Sequence, residues 1–372
     1  MSDSLLDRWW LAACLKLLNV YVIPKAKLQS YIAEWTGAPQ PTLGHRVANA
    51  SIRWLSAKLS TAQFRAMTTG FADPNIALTH CSMLLAKGAV CEHVKAKGFE
   101  GWYVPRMPDS THVILYIHGG GFVSGSPETA GPYLLQLATE LESRGTTADI
   151  FAVKYGLAPE SPYPTGLGHV VAAYEHVRTL NKPIVLMGDS AGGNLCLGLL
   201  RHIQTPHPAI ASSARPSSSG IIALCLTSPW VNLRNDSIAY VQNAGRDCLD
   251  KGALDRWRDV YLAQHSFDEY SNPLEGEDSW ADVLPSHVFL ISGELDMFVA
   301  DIRKLAEQIR EDDVKDLKVL VAANRGHVWN MVDFGPTQPG VPAKHADKQS
   351  RSAYDGLVLQ ADWIKNMIEA SQ

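Results

Sequence analysis

The residues best suited to do chemistry in this sequence lie in a run of small side chains centred on Ser190. Gly188 and Gly192 stand two positions to either side of this serine. The apolar stretch 184–187 before the run predicts a buried strand, and the apolar stretch 195–203 after it predicts a helix. The serine would therefore occupy a sharp, strained strand-to-helix turn that only small neighbours accommodate. Such a turn exposes the hydroxyl beside the N–H groups that begin the helix, as an acyl-transfer nucleophile requires.

A serine hydroxyl is barely ionised near neutral pH, so a nucleophile of this kind needs a base, and the base needs a carboxylate. His327 follows the last predicted strand, and Asp296 follows the strand before it. Side chains at the carboxyl ends of parallel strands meet at one edge of a sheet, so both residues can reach the serine turn. Glu294 and Asp301 remain alternative carboxylates, and Asp296 could instead cap the helix that begins near residue 301.

Three consecutive glycines, Gly119 to Gly121, could supply the anion-binding part of such a site. They follow His118 at the end of the predicted strand 113–117. Glycines let the backbone approach a ligand closely and point its N–H groups toward a developing oxyanion. His118 itself, like Asp189 beside the serine, is expected to have a structural role.

From about residue 90 onward, predicted strands alternate with predicted helices. This alternation predicts a parallel sheet that helices cover on both faces. Two polar or Pro-containing stretches, 205–220 and 332–351, are expected to be loops. The predicted strands are 113–117, 150–154, 184–187, 221–226, 287–292 and 317–321, and the predicted helices are 132–143, 167–180, 195–203, 301–310 and 354–368.

The first 89 residues carry helical patterns and no evident strand, which predicts an N-terminal helical cap region. Trp9 to Ile23 is almost wholly apolar and predicts a buried or amphipathic helix that Pro24 ends. A helix that rests on a membrane surface is the alternative interpretation. A second helical pattern runs from Thr42 to Thr69, and Gly70 would close it.

Between residues 228 and 280 the alternation stops and aromatic side chains crowd together, which predicts a lid inserted into the sheet domain. The catalytic core would then comprise residues 90–227 and 281–372. The aromatic residues are Trp230, Tyr240, Trp257, Tyr261, Phe267, Tyr270 and Trp280.

Composition excludes several classes of function. The chain of 372 residues has a net charge of −5 and no basic block, which argues against nucleic acid as a partner. Its six cysteines form no C-x-x-C pair or Cys/His cluster, so a metal site is not supported and free thiols in a reducing compartment are expected. The apolar N-terminal segment is too short to span a membrane and lacks the features of a signal peptide, so we expect a cytoplasmic protein.

Six motifs in the order of one family cover about residues 110–330. Together they make the chain resemble the hormone-sensitive-lipase-like family of α/β-hydrolases. Gly156 departs from the family pattern, which has an arginine there, and Met297 to Ala300 makes the surroundings of Asp296 more apolar than usual. The motifs are His118–Phe122, Tyr155–Pro164, Gly188–Asn194, Asn272–Leu274, Gly293–Asp296 and Gly326–His327.

The resemblance implies an α/β-hydrolase fold, with a mostly parallel central sheet, helices on both faces, a helical cap and an inserted lid. It implies a catalytic triad in the chain order expected of this fold and requires neither cofactor nor metal. The implied catalytic residues are Ser190, Asp296 and His327; the implied oxyanion-hole residues are Gly119, Gly120, Gly121 and Ala191; the implied substrate-pocket residues are Phe122, Trp230 and Val328.

Hydrolysis of a small-molecule carboxylic ester with an apolar or medium-sized acyl group is the leading functional hypothesis. The same acyl-enzyme could instead pass its acyl group on, as an acyltransferase, an off-loading thioesterase or a cyclase does. A ligand receptor without catalysis is a third hypothesis, which the presence of all three triad residues disfavours. A homodimer and a weak membrane-surface contact through the N-terminal helix are further expectations.

Overall fold

The protein is described from a computed structural model. The structure describes residues 5–35, 43–68, 73–211, 220–277, 279–332 and 355–371. Of the predicted loops, residues 212–219 of the first and 333–351 of the second lie outside this description. The expected end of the second helical pattern, at Thr69 and Gly70, lies outside it as well.

The described residues form one mostly parallel sheet of eight strands in the order β1-β2-β4-β3-β5-β6-β7-β8. Only the β1–β2 and β2–β4 pairs are antiparallel. The predicted alternation of strands and helices is confirmed. Two further strands, which come first in the chain, lie at one edge of the sheet. The strands are β1 (Val90–Ala96), β2 (Phe99–Arg106), β3 (His112–Ile117), β4 (Ala148–Val153), β5 (Ile184–Asp189), β6 (Ile221–Thr227), β7 (His287–Gly293) and β8 (Asp316–Ala322).

The central strands are buried on both sides, which is why they read as continuous apolar runs in the sequence. In β5, Leu186 packs into the core on one face of the sheet, while Val185 and Met187 pack into the core on the other. The chain order reverses at β3, which lies between β4 and β5. The carboxyl ends of β3 and β5 flank such a reversal, which is where open α/β sheets bind ligands.

Six helices precede the sheet, joined in one place by a π-helical turn at Leu18–Val22. The prediction that Pro24 ends the first helical segment is wrong. Proline is tolerated in the first turn of a helix, and Pro24 is the second residue of the helix that directly follows the π turn. These helices are α1 (Leu5–Leu17), α2 (Ile23–Trp35), α3 (Leu43–Lys58), α4 (Thr61–Thr68), α5 (Pro74–Leu78) and α6 (Ser82–Ala86).

The second predicted helix is in fact two helices, because a capping box interrupts it at Ser60. The Ser60 hydroxyl accepts a hydrogen bond from the Gln63 amide, and the Gln63 side chain accepts one from the Ser60 amide. These two bonds satisfy amides at the start of α4 and fix the bend between α3 and α4. The spacing of a capping box is visible in the sequence, but the apolar pattern that continues across it predicted a single helix.

Longer helices cover the sheet, and one of them begins earlier than predicted. The predicted start at Pro132 is wrong, because Ser126 caps the helix by accepting a hydrogen bond from the Thr129 amide and Pro127 occupies the first turn. Pro132 lies inside the helix. The covering helices are α7 (Pro127–Glu142), α8 (Thr165–Arg178), α9 (Ser190–Gln204), α13 (Val299–Glu311) and α15 (Asp355–Ala370), and the short helix α14 (Trp329–Val332) packs against α3 and α15.

Residues 228–280 pack in two different places. Helix α11 (Lys251–Leu262) contacts α3 of the N-terminal region, whereas α12 (Trp280–Val283) packs against α9 and α13 on the body of the protein. A short helix, α10 (Ala239–Gln242), precedes both, and a 3-10 turn at Pro273–Glu275 lies between them. The division of the chain into cap, core and lid stays a prediction.

Candidate active site

Ser190 lies at the junction of β5 and α9 with a φ of +51°. A non-glycine residue in this left-handed region is strained, and the surrounding structure must hold it there. Gly192 allows the close approach on which the turn depends, because a Cβ at this position would overlap the carbonyl oxygen of Ile117. The predicted strand-to-helix turn is therefore present, and it presents the hydroxyl at the carboxyl end of the sheet.

His327 and Asp296 meet Ser190 at this edge. The His327 Nε2 lies 2.9 Å from the Ser190 Oγ, and its Nδ1 lies 3.2 Å from each carboxylate oxygen of Asp296. The alternative carboxylates are engaged elsewhere: Glu294 accepts a hydrogen bond from the Asn324 amide, and Asp301 accepts bonds from Asn232 and Ser237. The structure therefore brings together the three residues that the sequence nominated as a triad.

The electrostatics of this group favour a base that gains a proton readily. Burial would lower the pKa of His327, but the Asp296 carboxylate, followed by Asp247 and Asp189, outweighs this effect and raises the pKa above its ordinary value of 6.5. Asp296 is fully buried, so its attraction for an imidazolium is weakly screened by water. These surroundings stabilise the protonated form of the His327 imidazole.

A further carboxylate, Asp247, joins the two loops that carry the base and the acid. One of its oxygens accepts hydrogen bonds from the amides of His327, at 2.8 Å, and Cys248, at 2.7 Å. The other accepts one from the Met297 amide, at 2.8 Å. Burial and the neighbouring Asp296 raise the pKa of Asp247 to about 6. The sequence analysis missed this residue, which lies in the predicted lid and belongs to no motif.

The N-terminal helices reach the same loops from outside. Arg53 of α3 donates a hydrogen bond to the carbonyl oxygen of Asp247. His45, on the same helix, accepts one from the amide of Gly326 at 3.3 Å. Helix α3 therefore stabilises the loop that carries His327, which we call the histidine loop, in addition to covering the site.

The glycine loop and the start of α9 supply candidate donors for an oxyanion. Gly120 and Gly121 have φ values of +110° and +62°, and within the described parts of the chain neither amide has a hydrogen-bond partner. Ala191 lies in the first turn of α9, where backbone N–H groups have no intrahelical acceptor. The expectation that Gly119 also contributes is wrong, because its amide donates to the Asp189 carboxylate at 3.0 Å.

Asp189 and His118 hold this loop in place, in line with the structural roles expected of them. Asp189 accepts hydrogen bonds from the Tyr116 hydroxyl, at 2.6 Å, and from the Gly119 amide. The His118 ring stacks on Tyr155 and lies 2.8 Å from the Gly119 carbonyl oxygen. Burial lowers the pKa of His118 to about 4, so its ring is neutral at physiological pH.

An apolar cavity of about 250 Å³ opens beside Ser190. Residues from the N-terminal helices, from α11 and from the histidine loop line it together with the glycine loop. Val328, a predicted pocket residue, is among them and has a φ of +46°. The apolar lining residues are Ile52, Phe64, Leu249, Leu254, Trp257, Val328 and Met331.

Phe122 and Trp230 do not line this cavity, so their predicted pocket role is wrong. The Phe122 ring stacks on Tyr261 at 3.7 Å between centroids, and Trp230 is sandwiched between Phe122 and Phe298. Both side chains are buried in the core behind the glycine loop. Trp257 lines the cavity instead, and its ring lies directly over Gly121 at the cavity wall.

Other features of the sequence have plain structural outcomes. Glu160 lies in the motif that has Gly156 in place of the usual arginine. It forms an ion pair with Arg65 of α4 at 2.7 Å. All six cysteines are free, as predicted, and all six are buried. Within the described ranges, the structure holds no cluster of three or more side chains arranged for a metal ion. None of the helices described there is long and apolar enough to cross a membrane.

Comparison with known proteins identifies the framework of this site. Residues 114–331 match the family described as the alpha/beta hydrolase fold. The hormone-sensitive lipase of Mus musculus is 41% identical over 99 residues, which cover 25% of this chain and only 12% of that enzyme. An esterase of Acinetobacter venetianus is 30% identical over 229 residues, which cover 60% of this chain and 69% of the esterase.

Solved structures agree on the fold. An esterase from the bacterial hormone-sensitive lipase family superposes with a TM-score of 0.67 at 21% identity, covering 89% of this chain and all of its own. A hormone-sensitive lipase from a metagenome library superposes with a TM-score of 0.65 at 22% identity, covering 86% of this chain and 97% of its own. The fold therefore extends beyond the segment that matches in sequence and includes much of the N-terminal region.

Proposed function

Because this chain belongs to the alpha/beta hydrolase family, and within it to the hormone-sensitive-lipase-like group, we propose that it hydrolyses a carboxylic ester through an acyl-serine intermediate. One observation carries the proposal. The Ser190 hydroxyl lies 2.9 Å from an imidazole nitrogen whose other nitrogen faces a buried carboxylate. This arrangement supplies a nucleophile, a base and an orienting acid within hydrogen-bond reach of one another.

In the acylation step, the Ser190 Oγ attacks the ester carbonyl carbon while its proton passes to the His327 Nε2. The carbonyl oxygen becomes an oxyanion, and the amides of Gly120, Gly121 and Ala191 are the donors proposed to bind it. The imidazolium then gives its proton to the departing alkoxide, and the bond between carbonyl carbon and alkoxide oxygen breaks. An alcohol leaves, and the acyl group remains esterified to the serine.

Deacylation repeats these steps with water. His327 takes a proton from a water molecule, whose oxygen attacks the acyl carbon and forms a second oxyanion. This oxyanion collapses, the bond between the acyl carbon and the Ser190 Oγ breaks, the imidazolium returns its proton to that oxygen, and the carboxylic acid leaves. Asp296 stays ionised throughout and stabilises the imidazolium in both halves of the cycle.

The cavity supports an apolar acyl or alcohol group of modest size. Its lining beyond the triad is dominated by aliphatic and aromatic side chains from three separate parts of the chain. Its volume of about 250 Å³ lies just below the range of about 300–1,000 Å³ that is usual for small-molecule sites. Chains of about four to eight carbons are therefore the proposed substrates, bound by burial of apolar surface rather than by charge.

The proposal is tested with p-nitrophenyl butyrate and the variant Ser190→Ala. The variant is expected to lose at least about a thousandfold in kcat/KM while its circular dichroism and melting temperature stay unchanged. Ser143→Ala, at the C-terminal end of α7, is the matched control and is expected to keep full activity. Undiminished hydrolysis by Ser190→Ala would refute the proposal. Product analysis with a competing alcohol separates hydrolysis from the alternative of acyl transfer.

A further inference from the structure

The N-terminal helices present a large apolar surface that nothing in the described structure covers. Nine large apolar or aromatic side chains on α1, the π turn and α2 are between 50% and 89% exposed. The aromatic members alone expose on the order of 500 Å², more than the scattered apolar side chains of an ordinary surface. We call this surface the N-terminal apolar face; it comprises Trp9, Trp10, Leu17, Val20, Tyr21, Leu28, Tyr31, Ile32 and Trp35.

Only a narrow stripe of this helical segment faces the protein. The buried residues recur every four positions and pack toward α3, which leaves most of the helix circumference outside. A helix that merely completed the core would show the opposite distribution, with its apolar side chains turned inward. The buried stripe is Cys14, Leu18, Val22, Ala26 and Ser30.

The charged residues of this helical segment indicate whether a membrane or a second copy of the chain covers the face. Residues 9–35, which span this face, contain three lysines and one acidic residue, Glu34. Lys16, Lys25 and Lys27 are all exposed. Tryptophan and tyrosine with flanking lysines are the residue types that settle at the boundary between lipid headgroups and acyl chains. Lysines also favour anionic headgroups, whereas a symmetric contact between two copies would bring their positive charges together.

One helix, α3, separates helix α2 of this face from the proposed active site. Helix α2 packs against α3, and Ile52 of α3 lines the cavity beside Ser190. An apolar ester that partitions into a membrane would therefore be concentrated next to the helices that wall the cavity.

We propose that the N-terminal apolar face docks this protein on the surface of membranes that contain anionic lipids. The aromatic side chains enter the interface, and the three lysines contact the headgroups. The helices lie along the surface without crossing it. Docking needs no catalytic group, so it does not depend on the proposed ester hydrolysis.

Vesicle flotation tests this proposal with the full chain and with Ser190→Ala. Both proteins are expected to float with vesicles of phosphatidylcholine and phosphatidylserine, mixed about three to one, and to float less with phosphatidylcholine alone. The variant Leu17→Glu/Val20→Glu/Leu28→Glu is expected to lose about tenfold or more in partitioning.

A control variant carries the same three charges on other exposed apolar positions, Ile76→Glu/Ile238→Glu/Val241→Glu. It is expected to float like the native chain. Circular dichroism and the melting temperature report whether both triple variants are folded, so a failure of ester hydrolysis in all proteins would leave the flotation result intact.

Three outcomes would overturn the proposal. In the first, the native chain fails to float with either vesicle. In the second, both triple variants float equally well. In the third, the native chain does not bind vesicles, and analytical ultracentrifugation shows that it is a dimer. The variant Leu17→Glu/Val20→Glu/Leu28→Glu is then a monomer, whereas the control variant is still a dimer. That result would assign the face to a second copy of this chain.

Discussion

The substitution Asp247→Asn isolates the contribution of a carboxylate that touches neither nucleophile nor base side chain. Asp247 accepts hydrogen bonds from the amides of His327, Cys248 and Met297. The side-chain oxygen of an asparagine can still accept the bonds from the amides of His327 and Cys248. Its NH₂ group then faces the Met297 N–H, and two donors cannot form a hydrogen bond with each other. The variant loses one bond to a charged acceptor and leaves a buried donor unsatisfied, at a cost of about 1.5–3 kcal/mol in stability.

The same substitution has a consequence for activity that a purely structural role would not produce. Met297 follows Asp296, so a shift of this loop moves the acid relative to the imidazole, and kcat/KM is expected to fall about tenfold or more. The buried charge of Asp247 also helps to raise the pKa of His327. Since only the neutral imidazole accepts the serine proton, removing that charge moves the acid limb of kcat/KM to lower pH.

The assay is the pH dependence of kcat/KM with p-nitrophenyl butyrate, accompanied by thermal unfolding. Asp149→Asn is the matched control, because Asp149 is also buried and accepts bonds from the Met107 amide and from Lys182, at the opposite end of β4 from the site. The Asp149→Asn variant is expected to lose stability, whereas the acid limb of its kcat/KM profile is expected to stay at the same pH. An Asp247→Asn variant with unchanged kcat/KM, or with an acid limb moved to higher pH, would refute the positioning role.

Three further predictions concern the base, the oxyanion loop and the cavity. In the native protein the pKa of His327 is raised, so kcat/KM is expected to fall as the pH drops through a value above 6.5; a limb well below this value would contradict the electrostatic account. Gly121→Ala is expected to lower kcat about a hundredfold or more, because its Cβ would meet the Trp257 ring and displace an oxyanion donor; normal single-turnover kinetics would argue against that donor. Trp257→Leu opens the cavity wall and is expected to shift the preferred p-nitrophenyl ester toward longer acyl chains, as kcat/KM across a graded series would report. An unchanged chain-length profile would place the acyl group elsewhere.

The features that could be predicted from the sequence are those that short segments encode. The small neighbours of Ser190 specify the turn, and the apolar runs before Asp296 and His327 specify strands whose carboxyl ends must share one edge. These constraints are local or follow from parallel topology, so Ser190 and His327 could be nominated without coordinates, whereas the choice of Asp296 over Glu294 and Asp301 came from the family resemblance. The helix after the turn begins at Ser190, five residues before the predicted start at 195, because the small residues that follow the serine already belong to its first turns.

The errors arise where a side chain's partner is distant in the chain. Gly119 looks equivalent to its glycine neighbours, yet the Asp189 carboxylate, 70 positions away, takes its amide. Phe122 follows the glycine loop but turns into the aromatic core, and Trp257 walls the cavity instead. Asp247 binds the His327 amide across 80 positions and has no motif. Such contacts depend on packing that periodicity and spacing do not encode.

The central claim is that Ser190 carries the acyl group during turnover. Rapid quenching of the enzyme with p-nitrophenyl butyrate, followed by peptide mass spectrometry, measures this directly. We expect a butyryl group on the peptide that contains Ser190, formed in the same burst that releases p-nitrophenol and lost as water completes the cycle. Turnover that proceeds with no acyl group on this serine, or with the acyl group on another residue, would contradict the account.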